Sequence, residues 1–256
     1  MENIEINRIK DIKLNNPIII EGLPGVGHVG KLVAEHIIEQ LGAEKIIEIY
    51  SSHFPPQVIV NSDGTIKLVN NEIYAHKADD GGQDLLIIVG DHQSATNEGH
   101  YELCSTYISF AKEFGVKMIY TLGGYGTGEL SESTDVIGAV NNIELVEKLT
   151  SAGVKVGEQE LNAGIIGVSG LLLGMCMRID LDAACLMGVT SGYMVDPKSA
   201  QSVLQALGKL IGIEFDMHNL EERAIDMMKI VEKLQDAGHM PQQELKSYDE
   251  DLRYIG

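Results

Sequence analysis

Pro17-Ile18-Ile19-Ile20-Glu21-Gly22-Leu23-Pro24-Gly25-Val26-Gly27 is the segment from which the architecture of this 256-residue chain is most directly predicted. Its first four residues form an apolar run that predicts a buried strand, and the glycines that follow predict a tight turn. A helix is predicted next, because Val33, Ile37 and Leu41 fall on one helical face. A buried strand that leads through a glycine turn into a helix is typical of α/β proteins.

Apolar runs alternate with helical patterns along most of the remaining sequence. Further strands are predicted at residues 45–50, 84–89, 117–122 and 183–188, and further helices at 98–114, 143–152 and 167–178. Residues 58–77 predict β-hairpins, with turns at 61–64 and 70–71. Because such apolar strands are typically buried on both faces, we predict a mostly parallel sheet flanked by helices, with antiparallel strands at one edge.

Two more helices and a tail complete the predicted organisation. One helix begins at Asp196-Pro197, where Asp196 is a suitable N-cap and Pro197 suits the first helical position. The last helix ends at Gly238 and carries five residues on one stripe: Leu220, Ala224, Met227, Val231 and Leu234. We predict one α/β domain over residues 1–238 and a flexible acidic tail over residues 239–256.

The net charge of the chain limits the classes of partner that it can bind. The net charge is −19, and 44% of the residues are hydrophobic. A surface this anionic repels phosphate backbones and acidic lipid headgroups, so we predict no nucleic-acid and no membrane partner. The same charge favours solubility and attraction to basic partners.

Cysteine usage and the N-terminus indicate a cytoplasmic protein. Cys104, Cys176 and Cys185 lie in or beside apolar runs and cannot all pair, so they are predicted to be reduced core residues. Residues 1–13 alternate charged and apolar side chains and contain no signal-peptide core. No stretch reaches the roughly 18 apolar residues that a membrane span needs.

The glycine turn after the first apolar strand resembles a phosphate-binding loop. Gly25 is followed by Gly30 and Lys31 at P-loop spacing, but Leu32 occupies the position where Mg²⁺ coordination requires Ser or Thr. One interpretation is that these glycines, with Gly27, permit a tight turn and close packing. The other is that an anion sits at the helix N-terminus without any chemistry.

Two other strand-end segments are candidate ligand loops. Residues 123–128, which include Gly124 and Gly126, follow one predicted strand, and residues 190–193 follow another. Their backbone amides could bind a ligand, or the glycines could simply make the connections flexible. No Ser-His-Asp set or nucleophile elbow is recognisable, so no catalytic residue and no cofactor are predicted. An enzyme-like scaffold used for binding is the favoured interpretation.

Possible metal ligands are few. His100 and Cys104 are spaced i, i+4 and could face one metal from a helix, while His53 and the segment Gly90-Asp91-His92 supply further candidates. No second cluster completes a ligand set. We therefore predict no metal site.

The C-terminal tail ends in apolar groups after an acidic, turn-prone stretch. Leu252, Tyr254 and Ile255 precede the terminal carboxylate of Gly256. An otherwise polar tail with an aromatic anchor and a carboxylate at its tip suits a docking peptide that enters a cationic pocket. The alternative is a tail that frays or folds back on its own domain.

Several of these segments together resemble the PAC2 family. They occur in the same order, over residues of about 15 to 235, as the family's motifs: GLPGVGHVG (22–30), FPPQ (54–57), LGGYGTG (122–128), GLLLG (170–174), LMG (186–188) and GYMVDPKSA (192–200). The chain is most similar to the archaeal branch of this family.

The resemblance implies an α/β fold like that of purine nucleoside phosphorylases, a homo-oligomer, and a non-catalytic chaperone that binds proteasome α subunits. It also implies a tail that inserts between α subunits and pairs its carboxylate with a lysine. In the family the tyrosine is second from the end, whereas Tyr254 is third from the end. A small-molecule or nucleotide-binding protein, or an enzyme, that uses the glycine loops is the alternative.

Overall fold

A nine-stranded sheet flanked by five helices forms the centre of the computed structural model. The structure describes residues 3–79, 81–129, 133–157 and 164–217, followed by residues 219, 220, 222, 223, 225, 226 and 229. Its helices are α1 (Val29–Gln40), α2 (Asn97–Glu113), α3 (Leu145–Ser151), α4 (Val168–Met177) and α5 (Pro197–Ile211), and a 3-10 turn, Val26–His28, precedes α1.

The strands number eleven in the described residues. They are β1 (Ile4–Arg8), β2 (Ile18–Glu21), β3 (Glu44–Ser51), β4 (Val58–Val60), β5 (Ile66–Leu68), β6 (Asn71–His76), β7 (Leu85–Gly90), β8 (Met118–Gly126), β9 (Val136–Val140), β10 (Lys155–Val156) and β11 (Asp182–Thr190). The large sheet has the order β1-β3-β6-β7-β2-β8-β11-β9-β10, and β4 and β5 form a separate two-stranded sheet.

The centre of the large sheet is parallel and its flanks are mixed. Strands β7, β2, β8 and β11 run parallel, as the buried apolar strands predict. On one side β6, β3 and β1 pair antiparallel, and on the other β9 is antiparallel to β11 while β10 is parallel to β9. Four of the eight pairings in this sheet are antiparallel, so the architecture is mixed α/β rather than mostly parallel.

Two apolar cores lie on opposite faces of this sheet. The first packs α1, α3 and α5 against the strands, and the second packs α2 and α4. Strand β7 shows how the pleat divides its side chains: Leu85, Ile87 and Val89 enter the first core, while Leu86 and Ile88 enter the second. Every residue of β7 is therefore buried, which explains its continuous apolar sequence.

Several local sequence signals are confirmed by the structure. Asp196 caps α5 by accepting a hydrogen bond from the Ser199 backbone N–H at 3.0 Å, and Pro197 occupies the first turn. Strands β4 and β5 form the predicted hairpin around the turn at 61–64. The second predicted hairpin is wrong, because β6 begins at Asn71 and pairs with β3 and β7 instead of β5. Leu220 is buried in the first core, whereas the rest of its predicted stripe and the domain end at Gly238 lie outside the residues whose side chains the structure describes.

The three cysteines are buried and unpaired, as predicted. Burial raises the pKa of the Cys176 thiol to about 11 and that of Cys185 to about 12, so both are protonated at neutral pH. None of the helices in the described part of the chain has the length and apolar character to span a bilayer.

Candidate functional site

The carboxyl ends of the central parallel strands meet at one edge of the sheet, where α/β proteins bind ligands. The turn between β2 and α1 (residues 22–28) lies across this edge. It contacts the end of β8 through Val26, the end of β11 through Gly27, and the segment after β7 through Pro24. The structure thus brings together the strand-end segments that the sequence indicated separately.

Glycine at position 30 is explained by helix–sheet packing. Gly30 lies in the first turn of α1, and a β-carbon there would overlap the carbonyl oxygen of Leu122 in β8. Only glycine lets the helix approach the strand this closely. The structure therefore supports close packing as the reason for this glycine.

The second glycine segment is a strand rather than a loop. Gly124 and Gly126 lie within β8 and pair in register with Gly188 and Thr190 of β11. A β-carbon on Gly124 would overlap the Val26 carbonyl oxygen, and one on Gly126 would lie 3.2 Å from the Val26 side chain. The glycines of β8 accordingly form a niche that the turn itself fills, and the predicted end of the strand at residue 122 is wrong because this pairing continues to residue 126.

A hydrogen-bonded network ties the end of β11 to the same turn. The Thr190 hydroxyl donates to Asp196 Oδ2 at 2.7 Å, and the Asp196 backbone N–H donates to the Gly27 carbonyl at 3.0 Å. The Ser199 hydroxyl donates to the same Asp196 oxygen at 2.9 Å. The polar groups of this segment are thus used to fix the loop that begins α5.

Gln93 and Glu21 are polar residues of this edge that sequence reasoning missed. Gln93 Nε2 donates to the Pro24 carbonyl at 2.8 Å, and its Oε1 accepts from the Val168 N–H at 3.0 Å, which links the turn to α4. No sequence signal marks this glutamine. The only signal for Glu21 is a carboxylate that ends an otherwise apolar run.

Glu21 is a buried carboxyl group at the centre of the sheet. It is 1% exposed and accepts hydrogen bonds from the Leu23 N–H and the Ser169 hydroxyl, each at 3.0 Å. Burial raises the pKa of Glu21 to about 7, although both hydrogen bonds oppose this rise. Among the described residues, the carboxyl group of Glu21 is therefore enclosed by the protein.

The basic groups near the turn are Lys31, His28 and His92. Lys31 is 7% exposed, and its Nζ lies 3.6 Å from Glu35 Oε1. Burial lowers the pKa of His28 to about 4, and the nearby charges of Lys31 and His92 contribute less in the same direction. Burial also lowers the pKa of His92. His28 is therefore neutral at pH 7, and Lys31 is the principal positive charge.

The residue after this lysine cannot assist nucleotide chemistry. Leu32 is fully buried in the first core. Its side chain supplies no metal ligand and faces away from solvent. The departure from the P-loop pattern noted in the sequence is thus a core-packing position.

The candidate metal ligands are not brought together. Cys104 is fully buried, whereas His100 Nδ1 lies 2.9 Å from the Thr96 carbonyl and His53 Nδ1 lies 2.8 Å from the Thr96 hydroxyl. Asp91 instead pairs with Lys67 at 3.0 Å. Within the described residues, no group of three His, Cys, Asp or Glu side chains could hold a metal.

The predicted docking tail falls outside the described residues. This applies to Leu252, Tyr254, Ile255 and Gly256 and to the whole segment 239–256. The predicted roles of these residues stay predictions.

Fold and site together define a mixed α/β protein in which a glycine-packed strand–turn–helix unit occupies the strand-end edge. The chain belongs to the PAC2 family, whose model matches residues 19–235. It is 38% identical over 263 residues to protein MJ1210 of Methanocaldococcus jannaschii, which covers 100% of this chain and 99% of that protein.

Two solved structures from Pyrococcus furiosus have the same fold. PbaB, described as an archaeal proteasome activator, is 38% identical, has a TM-score of 0.82, and covers 92% of this chain and 100% of its own. PbaA, described as an archaeal homolog of proteasome-assembly chaperone, is 25% identical, has a TM-score of 0.74, and covers 91% of this chain and 98% of its own.

Proposed function

We propose that this protein is a non-catalytic factor for proteasome assembly or activation that binds proteasome α subunits. The observation that carries the proposal is the similarity to PbaB, at 38% identity over 92% of the chain. The similarity to PbaA points to the same process. Family membership and a shared fold make a shared class of partner the simplest inference.

The chemistry of the strand-end edge supports a binding role. Glu21 is enclosed, Thr190 and Asp196 bond to each other, and Gln93 joins two backbone groups. Each of these side chains is hydrogen-bonded within the body, and the hydroxyl that donates to Glu21 is that of the half-buried Ser169. A protein that retains an enzyme-like scaffold without a catalytic set is suited to binding another macromolecule.

We further propose that the body (1–238) displays the tail (239–256) as a docking peptide. Tyr254 would be the anchor, because an aromatic ring buries a large area at low cost in conformational entropy. Leu252 and Ile255 would add apolar contacts, and the Gly256 carboxylate would pair with a lysine on an α subunit. We expect the protein to act in the cytoplasm as a homo-oligomer.

A co-purification and assembly experiment tests this function. Tagged full-length protein and a variant lacking residues 239–256 would be mixed separately with α subunits and with complete 20S particles. We expect α subunits to co-purify with the full-length protein and less with the truncated variant. If neither α subunits nor complete particles bind, and neither assembly yield nor peptidase activity changes, the proposal fails.

The second candidate function is anion or nucleotide binding at the turn. It is favoured by Lys31 beside the N-terminus of α1, and by the buried Nδ1 of His28, which has no hydrogen-bond partner among the described residues. The candidate residues are Gly25, Gly27, Gly30 and Lys31, with Gly124 and Gly126 beneath them. Calorimetric titration with phosphate and with ATP, on the parent chain and on Lys31→Ala, separates this function from the first.

A further inference from the structure

The two-stranded ribbon of β4 and β5 carries an exposed aliphatic face. Val58 pairs with Leu68 and Val60 pairs with Ile66 in its antiparallel register. Paired residues, and residues two apart along a strand, point to the same side. These four side chains therefore share one face, and they are 38%, 44%, 57% and 67% exposed respectively.

The opposite face of the ribbon is fixed to the body. Ile59 packs against the second core, and Lys67 Nζ lies 3.0 Å from Asp91 Oδ2 and 3.3 Å from Glu72 Oε1. Half-exposed ribbons normally turn apolar residues inward and charged residues outward. Here the single lysine of β5 points inward, while all four outward positions are aliphatic.

The ribbon is also ordered by its own turn. The Asn61 N–H donates to the Thr65 carbonyl at 2.8 Å, and the Gly64 N–H donates to the Asn61 carbonyl at 3.0 Å. Asp63 Oδ1 accepts from the Thr65 N–H at 2.9 Å. A partner would thus meet a preformed surface and would lose little conformational entropy in ordering it.

Charge indicates which partner suits this face. The chain carries a net charge of −19, so two copies repel each other over most of their surfaces. Between residues 58 and 68 the only charged side chains are Asp63, at the turn, and Lys67, which is neutralised on the inner side. The ribbon is thus a locally uncharged and apolar patch, on which like-charged copies can approach with little repulsion.

We propose that the aliphatic face of the β4–β5 ribbon is a contact surface between two copies of this chain, related by a two-fold axis. A flat aliphatic face is self-complementary, as an isologous contact requires. A stable interface buries about 800 Å² on each partner, more than four half-exposed aliphatic side chains supply. The ribbon would therefore form the centre of the contact, and neighbouring surface would form its rim.

The apolar, glycine-containing run at residues 165–177 is another segment that could support subunit packing. Within residues 165–177, the helix α4 buries Val168, Leu172, Leu173 and Cys176 inside its own chain. Ile166 and Met177 remain as separate exposed apolar residues, 57% and 60% exposed. The run is therefore used mainly within the subunit. The inference adds a surface to the homo-oligomer proposed above.

Sedimentation equilibrium on the full-length protein without any proteasome subunit tests the surface. The double variant Val60→Thr/Ile66→Thr keeps the β-branched shape that favours strands and removes apolar area. Ile143→Thr, at a position that is 81% exposed, is the matched control. We expect the double variant to raise the dimer dissociation constant at least tenfold and the control to leave it within twofold of the parent value.

Cross-linking gives a second readout that does not depend on affinity. Ile66→Cys should form a disulfide-linked dimer under mild oxidation, whereas Ile143→Cys, which lies outside the ribbon, should not. The three native cysteines are buried and should add no background. An associating parent whose dissociation constant is unchanged by the double variant would overturn the ribbon surface and leave the oligomer and the proteasome function standing. A parent that is monomeric at tens of micromolar would overturn both the surface and the oligomer, but not α-subunit binding.

Discussion

Gly22 and Gly30 contact each other so closely that a β-carbon on Gly22 would overlap the carbonyl oxygen of Gly30. Gly22 follows β2 directly, and Gly30 lies in the first turn of α1, so the chain returns over its own turn without any intervening side chain. Gly30 in turn lies against β8. The two glycines thus set the distance between α1 and the sheet. This distance determines where the turn lies across the strand-end edge.

We predict that Gly30→Ala destabilises the protein. Alanine favours helix by about 1 kcal/mol over glycine, but the added methyl group would overlap Leu122 and force α1 away from β8, at a cost of roughly 1–3 kcal/mol or more. Gly174→Ala is the control, because Gly174 is also helical and a methyl group added there would meet no atom within 4 Å. Urea unfolding should show a loss at residue 30 and a small gain at residue 174.

We predict no Mg²⁺-dependent hydrolysis of ATP or GTP by the turn. Leu32 is buried where the P-loop hydroxyl would be, so the metal lacks a ligand. Lys31→Ala should leave the fold and the binding of α subunits largely intact. Release of phosphate is the measurement, and turnover that Lys31→Ala abolishes would contradict the chaperone interpretation.

We predict that the tail carries a measurable share of α-subunit affinity. Tyr254→Ala, or deletion of residues 252–256, should weaken binding by about tenfold or more, which corresponds to about 1.4 kcal/mol. Tyr193→Ala, in an exposed tyrosine of the body, is the control. Equal affinity of the parent and both tail variants, measured by surface plasmon resonance, would assign recognition to the globular surface.

We predict that Glu21 makes folding stability fall as pH rises. Its folded pKa of about 7 lies above its ordinary value of 4.5, so the folded state retains a proton that the unfolded state loses. Its contribution is complete below about pH 4.5 and declines as the pH rises to about 7, by up to about 3 kcal/mol.

The variant Glu21→Gln isolates this effect. Glutamine keeps an oxygen for the Leu23 N–H and does not titrate. The free energy of unfolding of Glu21→Gln relative to the parent should therefore increase between pH 4.5 and 8. A difference that stays constant over this range would show that the carboxyl group titrates alike in the folded and unfolded states.

Local patterns predicted the elements that local sequence determines. The apolar run of β2, its glycine turn and the one-sided helix α1 are decided by neighbours in the chain, and so are the cap at Asp196 and the turn at 61–64. The α/β class follows from these elements. The hairpin pattern also predicted antiparallel strands at one edge. The antiparallel pairing of β9 with β11 at the other side was not predicted, because the direction of β9 is set by contacts distant in sequence.

The strand-end site was predicted only in part. The glycines at 25–30 and 124–126 were marked by composition, but composition does not tell that Val26 fills the niche formed by the second set. Glycine also disfavours strands, and only pairing with residues 188–190 makes the end of β8 extended. Gln93 had no signal at all, since its two bonds join backbone groups that are far apart in the chain.

The complete burial of β7 has a consequence for how the sheet selects its alignment. When both faces of a strand are apolar, a slip by one residue exchanges the two cores without exposing anything, so polarity does not reject the error. Shape does. A β-carbon at Gly90 would overlap Asn71 of β6, and one at Gly188 would lie 2.8 Å from the Ser199 carbonyl oxygen. A misaligned strand would place a side chain at such a position, where it would overlap neighbouring atoms. The glycine positions therefore disfavour misaligned pairing of the strands.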